Sequence, residues 1–298
     1  MKQQYREINL RRDTLTLIEF LNGLIKDYRS QGYTLSVRQL YYQLVARDMV
    51  ENTERSYKRV ASIINDGRLA GLIDWDAIED RGRDIELRTR WPSGRSILRA
   101  SYEGFHQDAW VGQRDRVIVI VEKAALANVL QRACQVWDVP LLAARGYPSV
   151  SVVRELALEH MLPFMEDGQD ITVLHLGDHD PSGLDMTRDL EERLELFTSA
   201  VETPGTMSVL RIALNMDQIE ELRPPPNPAK STDARFAAYR KLHGNRSWEL
   251  DALEPSYIDS LAEEFITNYI SDDIWYSRQA EIELVRSQLK QVHDSFDY

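Results

Sequence analysis

Ile171-Thr172-Val173-Leu174-His175-Leu176-Gly177-Asp178-His179-Asp180-Pro181-Ser182-Gly183 is a largely apolar run that ends in a glycine and two aspartates. Six mostly apolar residues suit a buried strand, and Gly177 lets the backbone turn out at its carboxyl end, where open α/β sheets place their ligands. Asp178 and Asp180 follow at once. Alternate residues of an extended segment point the same way, so both carboxylates can face one hard cation. Pro181 and Gly183 then set a turn into the next helix.

Upstream, Val117 to Val121 is a continuous β-branched run, the mark of a strand buried on both faces, and it ends in Glu122-Lys123 before an apolar helix through Trp137. A short strand at Val139 to Ala143, the turn Arg145-Gly146-Tyr147-Pro148, a helix starting near Ser149, the opening strand and a helix from about Leu184 complete the alternation. Strand and helix in turn imply a parallel sheet with right-handed crossovers, whose carboxyl edge would gather Glu122, Asp178 and Asp180. Three carboxylates without His or Cys partners are oxygen ligands, so Mg²⁺ is the expected ion and zinc is not. Mg²⁺ bound this way keeps room for substrate phosphate, which points to phosphodiester chemistry. Phosphatases with a nucleophilic Asp-x-Asp carry that pair on their first strand, whereas here it follows a glutamate-bearing strand.

The chain of 298 residues has room for two domains. Ahead of the sheet, residues 12 to 30 form an amphipathic helix. Ser36 and Gln39 make a capping box that opens a second helix carrying Arg38, Tyr41 and Tyr42, and a third runs from about Asn52 to Leu69. The third presents Arg55, Lys58, Arg59 and Arg68 outward, as in a helix-turn-helix or winged-helix module whose last helix meets the major groove. Arg81, Arg83, Arg88, Arg90, Arg95 and Arg99 follow within 19 positions, and guanidinium groups bind phosphate bidentately, so this segment reads as a wing running into a linker. Net charge is -12, but residues 1 to 70 carry +4 and the remainder -16. A basic front end on an acidic body fits a local DNA-binding face joined to a carboxylate-rich metal site. The expected boundaries are a DNA-binding domain over 1–95, a linker over 96–114 and a sheet domain with a helical extension over 115–298.

Glu122 after Val-Ile-Val-Ile-Val, Gly146-Tyr147-Pro148 in the following loop, and Asp178-His179-Asp180-Pro181-Ser182-Gly183 resemble a Toprim domain. The similarity is to that of topoisomerase VI A subunits and the related meiotic double-strand-break proteins. Arg38-Gln39-Leu40-Tyr41-Tyr42 matches the Arg-x-x-Tyr-Tyr pattern of that family's winged-helix domain. The resemblance covers about Thr34 to Gly183 and, more weakly, Ser247 to Leu253. It implies an α/β protein with an N-terminal winged helix followed by a Toprim, Rossmann-like parallel sheet. It also implies DNA cleavage in which Tyr42 attacks the backbone and becomes joined to a 5′ phosphate. A phenol of pKa about 10 is mostly protonated at neutral pH, and a nearby cation such as Arg38, or a metal-bound base, would be needed to activate it. Mg²⁺ at Glu122, Asp178 and Asp180 would hold the scissile phosphate. In that family the tyrosine and the metal site of one centre come from different protomers, so a twofold homodimer on duplex DNA is implied. No nucleotide-binding glycine loop is present, so ATP-driven strand passage would require a separate ATPase subunit. Two other readings stand beside this one: a Toprim nuclease in which metal-bound water attacks, and a DNA-binding protein without catalysis.

His179, between the two aspartates, is expected to face solvent, and Tyr41 to pack. One cysteine, Cys134, is expected to be a buried helical residue. No apolar run approaches the roughly 20 residues needed to cross a bilayer, and the amino terminus lacks the apolar core of a signal peptide, so a cytoplasmic location without membrane partners is expected. Met207 to Ala213 resumes a strand, Pro224-Pro225-Pro226-Asn227-Pro228 breaks any helix, and Tyr257 to Asp297 is helical with an apolar stripe.

Overall fold

The computed structural model describes residues 2–79 and 90–296. The N-terminal part holds α1 (Arg12–Ser30), β1 (Leu35–Ser36), α2 (Val37–Val45), α3 (Glu54–Leu69), β2 (Ile78–Glu79) and α4 (Gly94–Glu103). The capping box forms as expected, Gln39 N–H donating to Ser36 Oγ at 3.2 Å and Ser36 N–H to Gln39 Oε1 at 2.8 Å. The apolar stripes of the first three helices close on one another around Leu21, Leu40, Leu44 and Ile64, all at most 1% exposed. Beyond the three helices, β1 and β2 form a parallel pair only two residues long. Arg81, Arg83 and Arg88 lie outside the described residues. Part of the stretch expected to link the domains is the helix α4, which lies against the end of the chain: the Tyr102 and His293 rings meet edge to face at 5.3 Å.

The second part runs β3 (Asp115–Val121), α5 (Ala127–Val136), β4 (Leu141–Ala143), α6 (Val150–His160), α7 (Leu162–Glu166), β5 (Asp170–Leu176), α8 (Pro181–Thr198), β6 (Met207–Ala213) and α9 (Met216–Leu222). The chain ends with β7 (Asn227–Pro228), α10 (Phe236–His243), β8 (Arg246–Ser247), α11 (Pro255–Thr267) and α12 (Asp272–Asp294). Four strands form one parallel sheet in the order β4-β3-β5-β6, so the architecture is α/β as the alternation requires. Because neighbouring strand residues face opposite ways, Val117, Val119 and Val121 enter the layer built with α5 and α11. Ile118 and Ile120 enter the other, built with α6 and α8. Both faces are covered, which is why β3 reads as an unbroken apolar run. Cys134 is buried in α5. No helix among the described residues is long and apolar enough to cross a membrane.

Strand register places the functional edge. Val121 of β3 pairs with Leu176 of β5, and the Glu122 N–H continues the ladder onto the Leu176 carbonyl at 2.9 Å. The residues that leave the two strands, Glu122 on one side and Gly177-Asp178 on the other, therefore emerge side by side.

The helical N-terminal part is seated on the tail of the chain rather than on the sheet. Ala252 joins its apolar core, Tyr33 Oη donates to Asp259 Oδ2 at 3.1 Å, Tyr28 donates to Glu254, and Asn52 Nδ2 donates to Asn227 Oδ1 at 2.5 Å.

Inside the sheet, His175 is fully buried, with Nδ1 at 2.8 Å from Thr187 Oγ1 and no hydrogen-bond partner at Nε2 among the described residues. Burial, with Arg211 adding to it, pulls its pKa down to about 3. The unfolded chain takes up this proton near pH 6.5 and the folded chain refuses it until about 3, so the contribution to stability falls as pH falls through that window. We expect His175→Gln to flatten the pH dependence of stability between pH 6 and 4 by up to about 1.4 kcal/mol per pH unit. Urea midpoints of both proteins across that range test this; parallel profiles would refute it.

Candidate active site

A cleft of ≈ 460 Å³ opens at the carboxyl edge of the sheet, and Glu122, Asp178 and Asp180 all line it. The three side chains read from the sequence as one constellation are thus brought to one place. Asp178 N–H donates to Glu122 Oε2 at 2.9 Å, which ties the two strand ends together. Asp178 is buried, and both of its oxygens are engaged: Oδ1 accepts the Leu250 N–H at 2.8 Å and Oδ2 lies 2.9 Å from Lys123 Nζ. Burial raises the Asp178 carboxyl to about 7 against the pull of Lys123, with Glu122 and Asp251 pushing the same way as burial. Asp180 caps α8, one oxygen accepting Gly183 N–H at 2.6 Å and Ser182 Oγ–H at 2.9 Å, with Pro181 at the first helical position.

Beneath the loop lies Arg211, from β6. Its guanidinium donates to the carbonyls of Gly177 (2.8 Å), Asp178 (2.7 Å) and Gly183 (2.9 Å) and to Thr187 Oγ1 (3.0 Å). Burial lowers its pKa to about 10, opposed by Glu122, Asp178 and Asp180, so it stays charged at neutral pH. Gly183 is forced by closeness: a Cβ there would stand 2.2 Å from the Asp178 carbonyl oxygen. Gly183→Ala is therefore expected to push the helix start off the carboxylate loop at a cost of about 1–3 kcal/mol. An unfolding midpoint unchanged from wild type would contradict this.

Lys123, Arg211, Glu249 and Asp251 were not assigned to the site from the sequence. Lys123 Nζ donates to Glu249 Oε2 (2.9 Å) and Asp251 Oδ1 (2.8 Å) and stands in an ion pair with Asp178 Oδ2 (2.9 Å). Burial works to lower this ammonium; Asp251, Asp178 and Glu249 outweigh it and hold its pKa above the ordinary range. Glu249, which burial alone would raise, is held at about 2 by Lys123 and Arg38. Glu249 and Asp251 reach the cleft because Trp248 exchanges two backbone hydrogen bonds with His179, at 2.8 and 3.0 Å. That exchange also corrects the expectation for His179, which is buried rather than solvent-facing, its Nδ1 at 3.0 Å from Tyr239 Oη. Burial lowers it to about 4. The signal for the tail pair was present in Ser247 to Leu253, but nothing local assigns a partner some 130 positions away.

Arg38 lines the same cleft. It pairs with Glu249 and, through Nε at 2.9 Å, with Asp251. Its guanidinium stands 5.8 Å from the centre of the Tyr42 ring. Tyr42 is 4% exposed. Burial, then Asp251 and Glu249, raise its hydroxyl pKa, with Arg38 opposing, so it is a protonated phenol at neutral pH. Tyr41 packs as expected, its hydroxyl donating to the Glu51 carbonyl at 3.1 Å.

The α3 residues proposed to meet DNA do not line the cleft. Arg55, Lys58 and Arg59 are exposed, Lys58 pairing with Glu54 at 2.7 Å. Arg68 is turned back on its own chain, donating to the Trp75 and Ile78 carbonyls at 3.2 and 2.7 Å, which corrects its outward assignment.

The donor chemistry of the cleft suits a hard cation, since Glu122 and Asp180 are carboxylates with no ion-pair partner among the described residues. Their oxygens and those of Asp178 are not drawn together as tightly as a closed metal shell. Among the described residues, one group of three has ligand atoms within 4.8 Å of one another: Glu155, Glu159 and His160, exposed on α6. No protein-family model matches the sequence, and no curated protein matches it.

Proposed function

We propose that this protein is a magnesium-dependent DNA strand-cleaving enzyme of the topoisomerase VI A type, with a winged-helix-like N-terminal part and a Toprim-like sheet. The observation that carries the reading is the convergence of Glu122, Asp178 and Asp180 on one cleft that also receives Arg38, the neighbour of Tyr42. Glu122 and Asp180 would hold the ion, with Asp178 beside them. A bound divalent ion supplies Lewis-acid stabilisation of the charge that gathers on the phosphate during displacement.

The protein's own groups supply the rest. Tyr42 Oη forms a bond to phosphorus as the bond to the 3′ oxygen breaks; the phenolic proton leaves the tyrosine, the 3′ oxygen departs as a hydroxyl, and the 5′ phosphate stays on the enzyme. Arg38 steadies the phenolate as it forms. A twofold dimer on duplex DNA, a separate ATPase subunit and a cytoplasmic location belong to the same reading.

A second reading has an observation of its own. Tyr42 is covered and its hydroxyl is held protonated, which favours a nuclease in which water attacks in place of Tyr42, with Glu122 and Asp180 as the residues that would hold the ion. Incubation with supercoiled DNA and Mg²⁺ followed by denaturation separates the two. Protein joined to 5′ ends supports tyrosine attack, cutting without attached protein supports water, and binding without cutting rejects both.

A further inference from the structure

We propose that duplex DNA is held by its phosphates at the rim of the cleft, by Arg145 and Lys230, and leads away along the exposed cations of α10 and β8 rather than along α3. The choice of DNA as the partner rests on the reading above; the surface is drawn from where the chain leaves positive charge unengaged.

Four cationic side chains line the cleft, and they fall into two pairs. Lys123 is engaged with Asp178, Glu249 and Asp251, and Arg38 with Glu249 and Asp251. Arg145 and Lys230 are exposed, and their side chains have no ion-pair or hydrogen-bond partner among the described residues. Arg145 borders the cleft from the loop after β4, and Lys230 from the loop between β7 and α10. A cleft that gathers Glu122, Asp178 and Asp180 repels a polyanion. Admitting a phosphate backbone therefore requires cations at its mouth that are not already neutralised.

The backbone of Arg145 is a second observation. Its φ of 56° is left-handed, a conformation that disfavours any residue with a Cβ and suits glycine. The loop is pinned on both sides: Ala144 N–H donates to the Val121 carbonyl at 2.8 Å and Gly146 N–H to the Glu122 carbonyl at 3.0 Å. An exposed guanidinium without a partner does not offset that strain within the chain, whereas a phosphate at the rim would.

From Lys230 the positive charge continues. Residues 228–246 carry five Lys and Arg against one Asp, a net of +4, inside a stretch, 71–298, whose net is -16. That Asp233 pairs with Arg235, which also meets Asp185 at 2.6 Å. Arg240, Lys241 and Arg246 are exposed with no side-chain partner among the described residues. Arg246 lies opposite Pro228, which itself lines the cleft, across the β7–β8 pair. Tyr239 and His243 turn the inner face of α10 onto His179, with ring centres at 5.7 and 4.7 Å, which leaves the face with Arg240 and Lys241 to solvent. On α3, by contrast, none of the basic residues lines the cleft. Contacts of this kind reach phosphates and not base edges, so binding along the track is independent of base sequence.

Fluorescence anisotropy of a labelled mixed-sequence duplex, titrated with the full chain across a range of salt with Ca²⁺ in place of Mg²⁺, tests this. Arg145→Gln combined with Lys230→Gln is expected to weaken binding about tenfold or more at about 0.1 M salt. The same pair should lower the slope of log Kd against log salt by about two. Arg55→Gln combined with Arg59→Gln is expected to lower it by less. A wild-type slope in the rim pair, a larger loss from the α3 pair, or no duplex binding by the wild type overturns the proposal. Arg145→Gly separates a ligand contact from a structural role. It is expected to weaken binding while the unfolding midpoint stays at or above that of the wild type, because glycine relieves the left-handed backbone. A midpoint that falls together with binding would make Arg145 a structural residue and overturn its part in the rim. Duplex that is bound but never cut with Mg²⁺ would sink the functional reading alone, with the salt slopes still deciding the surface. Cutting by the wild type with an unchanged slope in the rim pair would sink the surface alone.

Discussion

Tyr42→Phe is expected to abolish DNA-linked protein completely while leaving the fold in place. The substitution removes one oxygen atom, the only atom of the side chain able to bond to phosphorus. It keeps the ring that packs beside Tyr41 at 5.3 Å and beneath Arg38. The structural loss is confined to the polar contacts of one covered hydroxyl, worth about 0.5–1.5 kcal/mol. Stability and DNA binding should therefore stay near wild type while the adduct disappears. Measuring adduct yield, nicking and unfolding midpoint on the same preparation makes the result decisive. Nicking that persists without adduct would transfer the attack to water, and an adduct that persists would put the nucleophile elsewhere.

The second large effect is on stability. Asp251→Ala is expected to cost about 1.5–3 kcal/mol, because it withdraws the common partner of two cations from a covered site while each keeps another carboxylate. Lys123 keeps Asp178 and Glu249, and Arg38 keeps Glu249, so neither cation is wholly stranded. What is lost is the one carboxylate of the set whose side chain is fully covered. Asp251→Asn preserves shape and one acceptor and should lose less. Urea unfolding followed by tryptophan fluorescence checks both. A loss below about 1 kcal/mol for the alanine variant would show the network to be a solvated surface cluster rather than a joint.

The sheet and its edge were legible because they are written locally. A β-branched run ending in Glu122, and a second apolar run ending in Gly177 and two aspartates, fix strand ends by periodicity alone. Parallel pairing then sets Val121 against Leu176, and the carboxylates meet without further information. The first three helices were legible for the same reason, since each carries its own apolar stripe. The tail was not. Glu249 and Asp251 lie in the weakly similar stretch from Ser247 to Leu253 with no role assigned to them, and only the backbone exchange between His179 and Trp248 turns them into the cleft. His179 was misjudged for a related reason: a histidine between aspartates looks solvated until the tail and α10 cover it. Arg68 was assigned to an outer surface by its basic neighbours, whereas the chain folding back after α3 offers it two carbonyls.

Arg211 spends its hydrogen bonds on main-chain carbonyls and a threonine hydroxyl rather than on carboxylates. The contour of the acidic loop is thereby inherited from the peptide backbone. Related chains would be free to exchange the side groups around it, and so to drift towards new chemistries, without having to reinvent the bend that presents them.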